Sequence, residues 1–382
     1  MNFIKSRPLF LLLGLTFLAT LFFWSIFYFN LPRFLGFPPV SIQTLFANYD
    51  GPNYLIISKC GYDKNCIASN FSQPLPLEYF PAHFPGFPIL ISLLSAFFPA
   101  PWAMLVVTLI GSLLLTKYFY LLAKDLTSSK IALWLSLFLL FFPARLFVLR
   151  LIGAPESWFI SACLASIYYF RQKRFAVSAL LAVLAQTLKS PGILLFATYA
   201  IYLLINKKIS KNHLWYLLSP LSVLIIFWLY YLQTGDFLAY FHSGDNIHLT
   251  AFPYGVFLSF RSWIGTIWLE DIIWLLLFAF VGLSLLHRRY RVSLVFIFPL
   301  VYLLFVLFVS HRDLSRYLSP TFPFLILAFP NLVNLPKFKL ILLVLIPAVL
   351  LYSLNFVIGN AAPIENWSQY LLIVLFVPPE NR

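Results

Sequence analysis

A few ionisable side chains stand out because they lie beside long apolar runs and are of types that support acid–base chemistry. Asp50 lies in a polar break after the first apolar run, and Tyr54 follows it one helical turn later. Pro52 in the first turn and Gly61 just past the end predict a short helix over 50–60. An aspartate in this position can act as a general base, although the commoner role of an aspartate at a helix start is the N-cap.

Charged residues at the ends of other predicted spans form a second group of candidates. Glu156 begins one span and Lys189 ends another, and the helix dipole stabilises an acid at the first position and a cation at the second. Snorkelling explains Lys189 and Arg150 as well as a binding role does. Arg316 opens a span, where a cation opposes the dipole, so a nearby anion is expected. Together with Arg312, these cations face the Asp50 loop and indicate an anionic substrate.

The composition is that of a polytopic α-helical membrane protein. Of 382 residues, 62% are hydrophobic and only 10% are charged, whereas a soluble domain carries about a quarter charged residues. The apolar runs do not alternate in hydrophobicity as the strands of a membrane barrel would. Basic loops between spans explain the net charge of +14, and no nucleic-acid-binding motif accompanies that charge.

Apolar runs between short basic clusters predict about eleven membrane spans with the N-terminus in the cytoplasm. The first run follows Lys5 and Arg7 without a small-residue cleavage site, which predicts an uncleaved signal anchor. This topology makes every inner connection basic. It requires 86–99 to be an interfacial or re-entrant helix, because that stretch is short and broken by Pro88. The predicted spans are 9–29, 101–123, 131–149, 156–170, 175–188, 191–206, 213–233, 267–286, 292–310, 317–335 and 338–358.

The acidic residues test this topology independently, because they contribute little to orientation. Of the twelve, only Asp125 falls inside, and the others lie outside or at the outer membrane edge. Such a bias indicates a functional polar surface on the outer face. The two long outer segments are about 30–100 and 233–263. No soluble domain or internal repeat is visible, so residues 1–382 are predicted to form one transmembrane domain.

Cysteines and histidines give weaker signals. Cys60 and Cys66 could close a small loop on an oxidising side of the membrane, and free thiols fit their spacing equally well. Neither these cysteines nor His83 follow a metal-ligand spacing. His83 is therefore interpreted as an ordinary loop residue and Arg145 as a snorkelling cation. No cofactor is called for by these residues, and a divalent metal is left as an open possibility.

Five segments carry motifs in chain order: Tyr49-Asp50-Gly51-x-x-Tyr54 with Gly61-Tyr62; Tyr79-Phe80-Pro81-Ala82-His83-Phe84-Pro85-Gly86-Phe87-Pro88-Ile89-Leu90; Phe142-Pro143-Ala144 with Ala154-Pro155-Glu156-Ser157; Thr187-Leu188-Lys189-Ser190-Pro191-Gly192; and Ser315-Arg316-Tyr317-Leu318-Ser319-Pro320-Thr321-Phe322-Pro323. These segments resemble those of the PIG-V-type mannosyltransferases, within the GT-C fold of membrane glycosyltransferases. The matches span roughly residues 48 to 325. Tyr49 stands where the family pattern has Trp, and Lys189 where it has Arg.

The resemblance implies an all-α GT-C-like enzyme that transfers a sugar, with inversion, from a polyprenyl- or dolichyl-phosphate donor to a hydroxyl of a glycan, lipid or protein. It implies that Asp50 is the catalytic base. Lys189 and Arg316 would neutralise the leaving phosphate, with Arg150 and Arg312 as the next choices. The expected substrate-binding residues are Tyr54, Arg150, Glu156, Lys189, Arg312, Arg316 and Tyr317.

Two alternative functions are compatible with a polytopic membrane protein. A transporter or flippase for a lipid-linked sugar would place charges near mid-membrane between repeats, whereas these charges lie at the outer edge. A polysaccharide polymerase or ligase would not need the Asp50 loop. The resemblance implies a site on the outer or lumenal face, in the cell membrane of a prokaryote or the endoplasmic reticulum of a eukaryote. The sequence does not specify the sugar or the acceptor.

Overall fold

A computed structural model describes residues 8–72, 75–207, 209–244, 248–258, 267–362, 364 and 366–376. In this part of the chain the structure is helical, and the extended pairings are two isolated bridges, Asn48 to Ala361 and Leu249 to Val309. Some residues used for the predicted topology lie outside the described ranges: Lys5, Arg7, Lys208, Asp245, Trp263, Glu365 and Glu380.

The helices are numbered in chain order. The first ten are α1 (Pro8–Tyr28), α2 (Gln43–Phe46), α3 (Gly51–Cys60), α4 (Lys64–Asn70), α5 (Gly86–Leu94), α6 (Ala100–Leu126), α7 (Ser129–Phe141), α8 (Ala144–Leu149), α9 (Glu156–Arg171) and α10 (Phe175–Leu188). The later ones are α11 (Ile193–Ile205), α12 (Leu218–Thr234), α13 (Ala239–His242), α14 (Gly255–Leu258), α15 (Ile267–Tyr290), α16 (Leu294–Val306), α17 (Leu314–Leu318), α18 (Phe322–Ile326), α19 (Pro330–Asn334), α20 (Pro336–Gly359) and α21 (Trp367–Phe376). Short 3-10 helices cover Leu31–Leu35, Leu77–Ala82, Ser190–Gly192, Lys211–Leu217 and Ser319–Thr321.

Five helical segments of the described chain are long and apolar enough to cross a membrane. They are α1, α6, Lys211–Thr234, the Leu269–Tyr290 part of α15, and α20. Four shorter apolar helices accompany them: α7, α10, α16, and α11 together with the 3-10 turn before it. The protein is therefore an all-α polytopic membrane protein, and the predicted number of eleven spans is not established by helix length.

Two predicted spans are wrong as continuous helices, and proline is the reason in both. The span predicted over 131–149 is interrupted at Phe142 and Pro143, because proline lacks an N–H and disfavours helical backbone at the preceding residue. The span predicted over 317–335 is divided into α17, a 3-10 turn, α18 and α19. The prediction that 86–99 does not span agrees with α5, whose nine residues extend only about 14 Å.

Helix α9 lies in the middle of the bundle, between α6 and α10. Trp158 Nε1 donates to the Val107 carbonyl oxygen of α6 at 2.6 Å. On another side of α9, the Ser166 hydroxyl lies 2.6 Å from the Tyr199 hydroxyl of α11. Because α9 is surrounded along its length, a charge at its first residue, Glu156, is held deep within one end of the bundle.

Two close backbone approaches hold the loops at that end. A Cβ at Gly51 would stand 2.5 Å from the Phe46 carbonyl oxygen, so the turn before α3 requires glycine. A Cβ at Gly86 would stand 2.7 Å from the Thr187 carbonyl oxygen. The start of α5 is thereby packed directly against the end of α10, close to Lys189.

Candidate active site

Asp50 is the N-cap residue of α3, yet its side chain makes no capping hydrogen bond. One carboxylate oxygen, Oδ2, accepts from Nη1 and Nη2 of Arg316 at 3.2 and 3.3 Å. The other, Oδ1, lies 3.5 Å from Nε2 of His83. The sequence left a cap and a catalytic base as alternatives for Asp50. The structure directs the carboxylate away from the helix and toward a cation and an imidazole.

The surroundings of Asp50 favour its ionised form. Burial raises its pKa, but the contact with His83 and the positive charge of Arg316 outweigh burial and hold the pKa well below its usual range. The side chain keeps 23% of its surface exposed. Asp50 is therefore a carboxylate at neutral pH that is open enough to receive a hydroxyl proton.

Glu156 joins two cations beside Asp50. Its Oε1 accepts from Lys189 Nζ at 2.6 Å and from Arg316 Nε at 2.7 Å. The Glu156 side chain is 1% exposed, whereas Lys189 and Arg316 keep 24% and 14% of their side-chain surfaces exposed. Oε2 of Glu156 is buried and has no hydrogen-bond partner among the described residues. Arg316 thus bridges both carboxylates, and the predicted convergence of Asp50, Lys189 and Arg316 is present.

Each of these side chains lies at the end of a helix or within a very short one. Glu156 follows Pro155 at the first residue of α9, and Lys189 is the extended residue that ends α10. Arg316 lies within α17, the short helix that proline separates from its successors. The charged cluster is therefore built from the starts of α3 and α9, the residue after the end of α10 and the short helix α17.

The predicted tyrosines and Arg312 occupy different surroundings. Tyr54 is buried, and its ring packs edge-on against His83 and Phe87 at centroid distances of 5.1 and 5.0 Å. Tyr317 is half-buried, and Arg312 is exposed next to the cluster in sequence. The Tyr54 ring thus forms one side of the site beside Asp50. Arg312 remains a candidate only because it is close to Arg316 in the sequence.

Arg150 lies among neutral oxygen atoms and not among the charged residues. Its guanidinium donates to the Ser112 hydroxyl at 2.9 Å, the Thr116 hydroxyl at 2.5 Å, and the carbonyl oxygens of Ser112 and Leu139 at 3.3 Å. Only 2% of the residue is exposed. These contacts join α8 to α6 and α7, so the expected role of Arg150 in substrate binding is not supported by its position.

Two residues of the site region, His83 and Arg145, were not recognised as candidates in the sequence. His83 was interpreted as an ordinary loop residue, yet it is 7% exposed and faces Asp50. Arg145 was interpreted as snorkelling, yet its Nη2 lies 3.2 Å from Oδ1 of Asp313. The available signal was the histidine within the Pro-rich segment 79–90, which already formed part of the family resemblance. No spacing rule pairs Arg145 with Asp313, because they are brought together only by the fold.

The described residues contain no group of three or more His, Cys, Asp or Glu side chains that could hold a metal ion. Asp50 and Glu156 supply carboxylate oxygens, but Arg316 lies between them and binds both. The side chains therefore fit a cation-bridged pair of acids better than a metal centre.

No known family model matches the sequence, and no curated protein matches it significantly. Solved structures do match the fold. The oligosaccharyltransferase of Archaeoglobus fulgidus in its apo form has a TM-score of 0.54 at 12% identity, over 96% of this chain and 58% of that one. AglB from the same organism, solved with an inhibitory peptide and a dolichol-phosphate, has a TM-score of 0.55 at 12% identity, over 95% and 57%.

A third structure supports the same architecture. ArnT from Cupriavidus metallidurans, bound to undecaprenyl phosphate, has a TM-score of 0.51 at 15% identity, over 92% of this chain and 77% of that one. The protein has a GT-C fold. This GT-C chain spans less than two thirds of the length of the archaeal oligosaccharyltransferase.

Proposed function

We propose that this protein is a membrane glycosyltransferase that moves a sugar from a polyprenyl- or dolichyl-phosphate donor to an acceptor hydroxyl. Two solved structures of the same fold hold such lipids: ArnT was solved with undecaprenyl phosphate and AglB with a dolichol-phosphate. The ordered motifs that resemble PIG-V-type enzymes favour mannose as the sugar. The predicted topology favours transfer on the outer or lumenal face.

The observation that carries this proposal is the cluster of Asp50, Glu156, Lys189 and Arg316. It combines a partly exposed carboxylate with two cations that also reach solvent. Sugar transfer from a lipid phosphate needs both parts, a base for the acceptor and positive charge for the departing phosphate. A transporter would need the cations but not the ionised base beside them.

In the proposed reaction Asp50 removes the proton from the acceptor hydroxyl while that oxygen attacks the anomeric carbon. The new C–O bond forms as the bond from the anomeric carbon to the phosphate oxygen breaks, and one displacement inverts the anomeric configuration. The lipid phosphate leaves with the electron pair, and the proton stays on Asp50 until solvent takes it. Lys189 and Arg316 stabilise the departing phosphate by charge-assisted hydrogen bonds.

Donor binding would also prepare the base. Asp50 and Glu156 balance Lys189 and Arg316, so a phosphodiester donor adds one uncompensated negative charge. Arg316 holds Asp50 at 3.2 Å or more and Glu156 at 2.7 Å, so the contact with Asp50 is the one that the phosphate displaces most easily. Because the loss of a nearby cation raises the pKa of a carboxylate, Asp50 becomes a stronger base when the donor is bound.

The test is transfer by purified protein in liposomes supplied with labelled polyprenyl-phosphate sugars and membrane-derived acceptors. Asp50→Asn keeps the shape of the side chain but removes the base, and transfer should fall about 100- to 10,000-fold. The matched control is Asp125→Asn, since Asp125 is also an aspartate paired with an arginine, Arg171, at 2.6 Å. Full transfer by the Asp50 variant, or an equal loss in the control, would contradict the assignment of Asp50 as the base.

A further inference from the structure

A second charged cluster lies against the first, formed by Tyr49, Arg145, Asp313 and Ser315. The Tyr49 hydroxyl donates to Oδ2 of Asp313 at 2.8 Å and accepts from Nη1 of Arg145 at 3.0 Å. Nη2 of Arg145 lies 3.2 Å from Oδ1 of Asp313, and its Nε donates to the Ser315 hydroxyl at 3.2 Å. Nε, Nη1 and Nη2 of Arg145 therefore each contact a residue of this cluster.

The two clusters share their chain segments. Tyr49 directly precedes Asp50, while Asp313 precedes Arg316 by three residues. The Tyr49 ring also lies between the two arginines, because Cζ of Arg316 stands 4.4 Å from its centroid while Arg145 binds its hydroxyl. Tyr49 holds a backbone φ of +49°, which is uncommon for a residue other than glycine and is maintained here by these contacts.

The pairing of charges is not the one that sequence proximity favours. Asp313 and Arg316 lie on one turn, with the Arg316 N–H bonded to the Asp313 carbonyl oxygen at 3.0 Å, and opposite charges three residues apart on a turn are neighbours. Asp313 nevertheless binds Arg145 and Tyr49, while Arg316 binds Asp50 and Glu156. Arg145 is thus placed to satisfy the carboxylate that would otherwise compete for Arg316.

We propose that Arg145 is a positioning residue that neutralises Asp313 and so keeps Arg316 available to Asp50 and the donor phosphate. This inference rests on the proposed function, because it assigns Arg145 a task only if Arg316 binds a lipid phosphate. The alternative is that the Arg145–Asp313 pair only stabilises the fold. The two roles differ in what the single variant loses, which is function per folded molecule if Arg145 positions Arg316 and stability alone if the pair is structural.

The experiment compares Arg145→Met with the double variant Arg145→Met/Asp313→Asn, measuring affinity for undecaprenyl phosphate and kcat/KM for transfer in the same liposomes. The single variant leaves Asp313 without its cation, so that it draws Arg316 away from the site. We expect both values to fall about 10- to 100-fold, as for the loss of a charged hydrogen bond. The double variant should recover to within about fivefold of the unmodified protein, since the competing charge is gone.

A purely structural pair predicts that Arg145→Met lowers the melting temperature, because Asp313 is left as an unpaired and mostly buried charge, while affinity and kcat/KM per folded molecule stay close to those of the unmodified protein. That result would overturn the proposal, and so would a double variant that is no better than the single one in function per folded molecule. Melting temperatures of all variants in detergent separate loss of fold from loss of function. If Arg145→Met does not fold, Arg145→Gln with and without Asp313→Asn repeats the comparison, because glutamine removes the positive charge but keeps a hydrogen-bond donor. Failure of Asp313→Asn to improve Arg145→Gln would likewise overturn the proposal. An unmodified protein that binds neither undecaprenyl phosphate nor dolichyl phosphate would refute the proposed function itself.

Discussion

Two arginines show how differently this fold uses a guanidinium group. Arg316 lies between two carboxylates, those of Asp50 and Glu156, and keeps 14% of its side-chain surface exposed. Arg150 is 2% exposed and is surrounded by hydroxyl and carbonyl oxygens of α6 and α7. Both were candidates for binding the same phosphate, because sequence alone gives them the same charge and a similar distance from a predicted membrane edge.

The difference lies in the partners as well as in the exposed fraction of each arginine. Arg150 donates to neutral oxygens, and these hydrogen bonds connect three helices. A phosphate could bind Arg150 only by breaking them. Arg316 is shared by two anions, so a third anion can enter by displacing the weaker of them. A shared and partly exposed cation can respond to a ligand, whereas a cation enclosed by neutral groups contributes to stability.

The largest expected effect comes from replacing each of these arginines by methionine. Arg316→Met removes the charge that stabilises the leaving phosphate, so transfer per folded molecule should fall on the order of 100- to 1,000-fold. Arg150→Met should lower the free energy of unfolding by about 1–3 kcal/mol, because it leaves buried oxygens without their donor. The measurements are kcat/KM corrected for the folded fraction, and thermal unfolding in detergent. Equal losses of transfer per folded molecule in both variants would show that the contrast between the two arginines is wrong.

A smaller effect is expected at His83. Replacing it tests whether Arg316 alone, or Arg316 together with His83, keeps Asp50 ionised. Its contact helps to keep the pKa of Asp50 below the usual range, so His83→Phe should move that pKa upward. The base must be ionised, and activity is lost as the pH falls through its pKa. The acidic limb of the pH profile of kcat/KM should therefore move to higher pH, while the rate at pH 7 changes by about fivefold or less.

The control for this prediction is His242→Phe, since His242 also lies near an aspartate, Asp236, but at an exposed position away from the cluster. Its pH profile should match that of the unmodified protein. An unmoved acidic limb in the His83 variant would indicate that Arg316 alone sets the ionisation of Asp50.

Much of this organisation could be predicted from the sequence because it depends on local signals. Apolar runs locate the long helices, and Pro52 and Gly61 mark the ends of α3 within one residue. The polar break before a short predicted helix identified Asp50, and the ends of predicted spans identified Lys189 and Arg316, which the fold brings together with Asp50. These features can be predicted from the sequence because helix ends and membrane edges restrict where a charge can lie.

The remaining features depend on tertiary contacts that no local pattern records. Arg145 and Asp313 are separated by 168 positions in the chain, and only the packing of α8 near α17 makes them a pair. Arg150 has a similar local sequence environment to Arg145, but its side chain enters the bundle between α6 and α7. The two predicted spans that proline interrupts failed for a different reason, since their hydropathy outweighed the breaks at Pro143, Pro320 and Pro323.

The smallest expected effect is at the disulfide that joins Cys60 to Cys66, where the sequence allowed either state. The bond closes a short loop at the far end of α3, whose first turn carries Asp50. Replacing both cysteines by serine should lower the free energy of unfolding by about 2 kcal/mol, as expected for so small a loop. Gln233 also holds this end of α3, accepting from the Tyr62 N–H at 2.8 Å. Transfer per folded molecule should therefore change by no more than about twofold. Arg150→Met serves as the control, because it also lowers stability. If the serine variant loses much more transfer per folded molecule than Arg150→Met at the same stability, the disulfide as well as Arg316 keeps Asp50 in place.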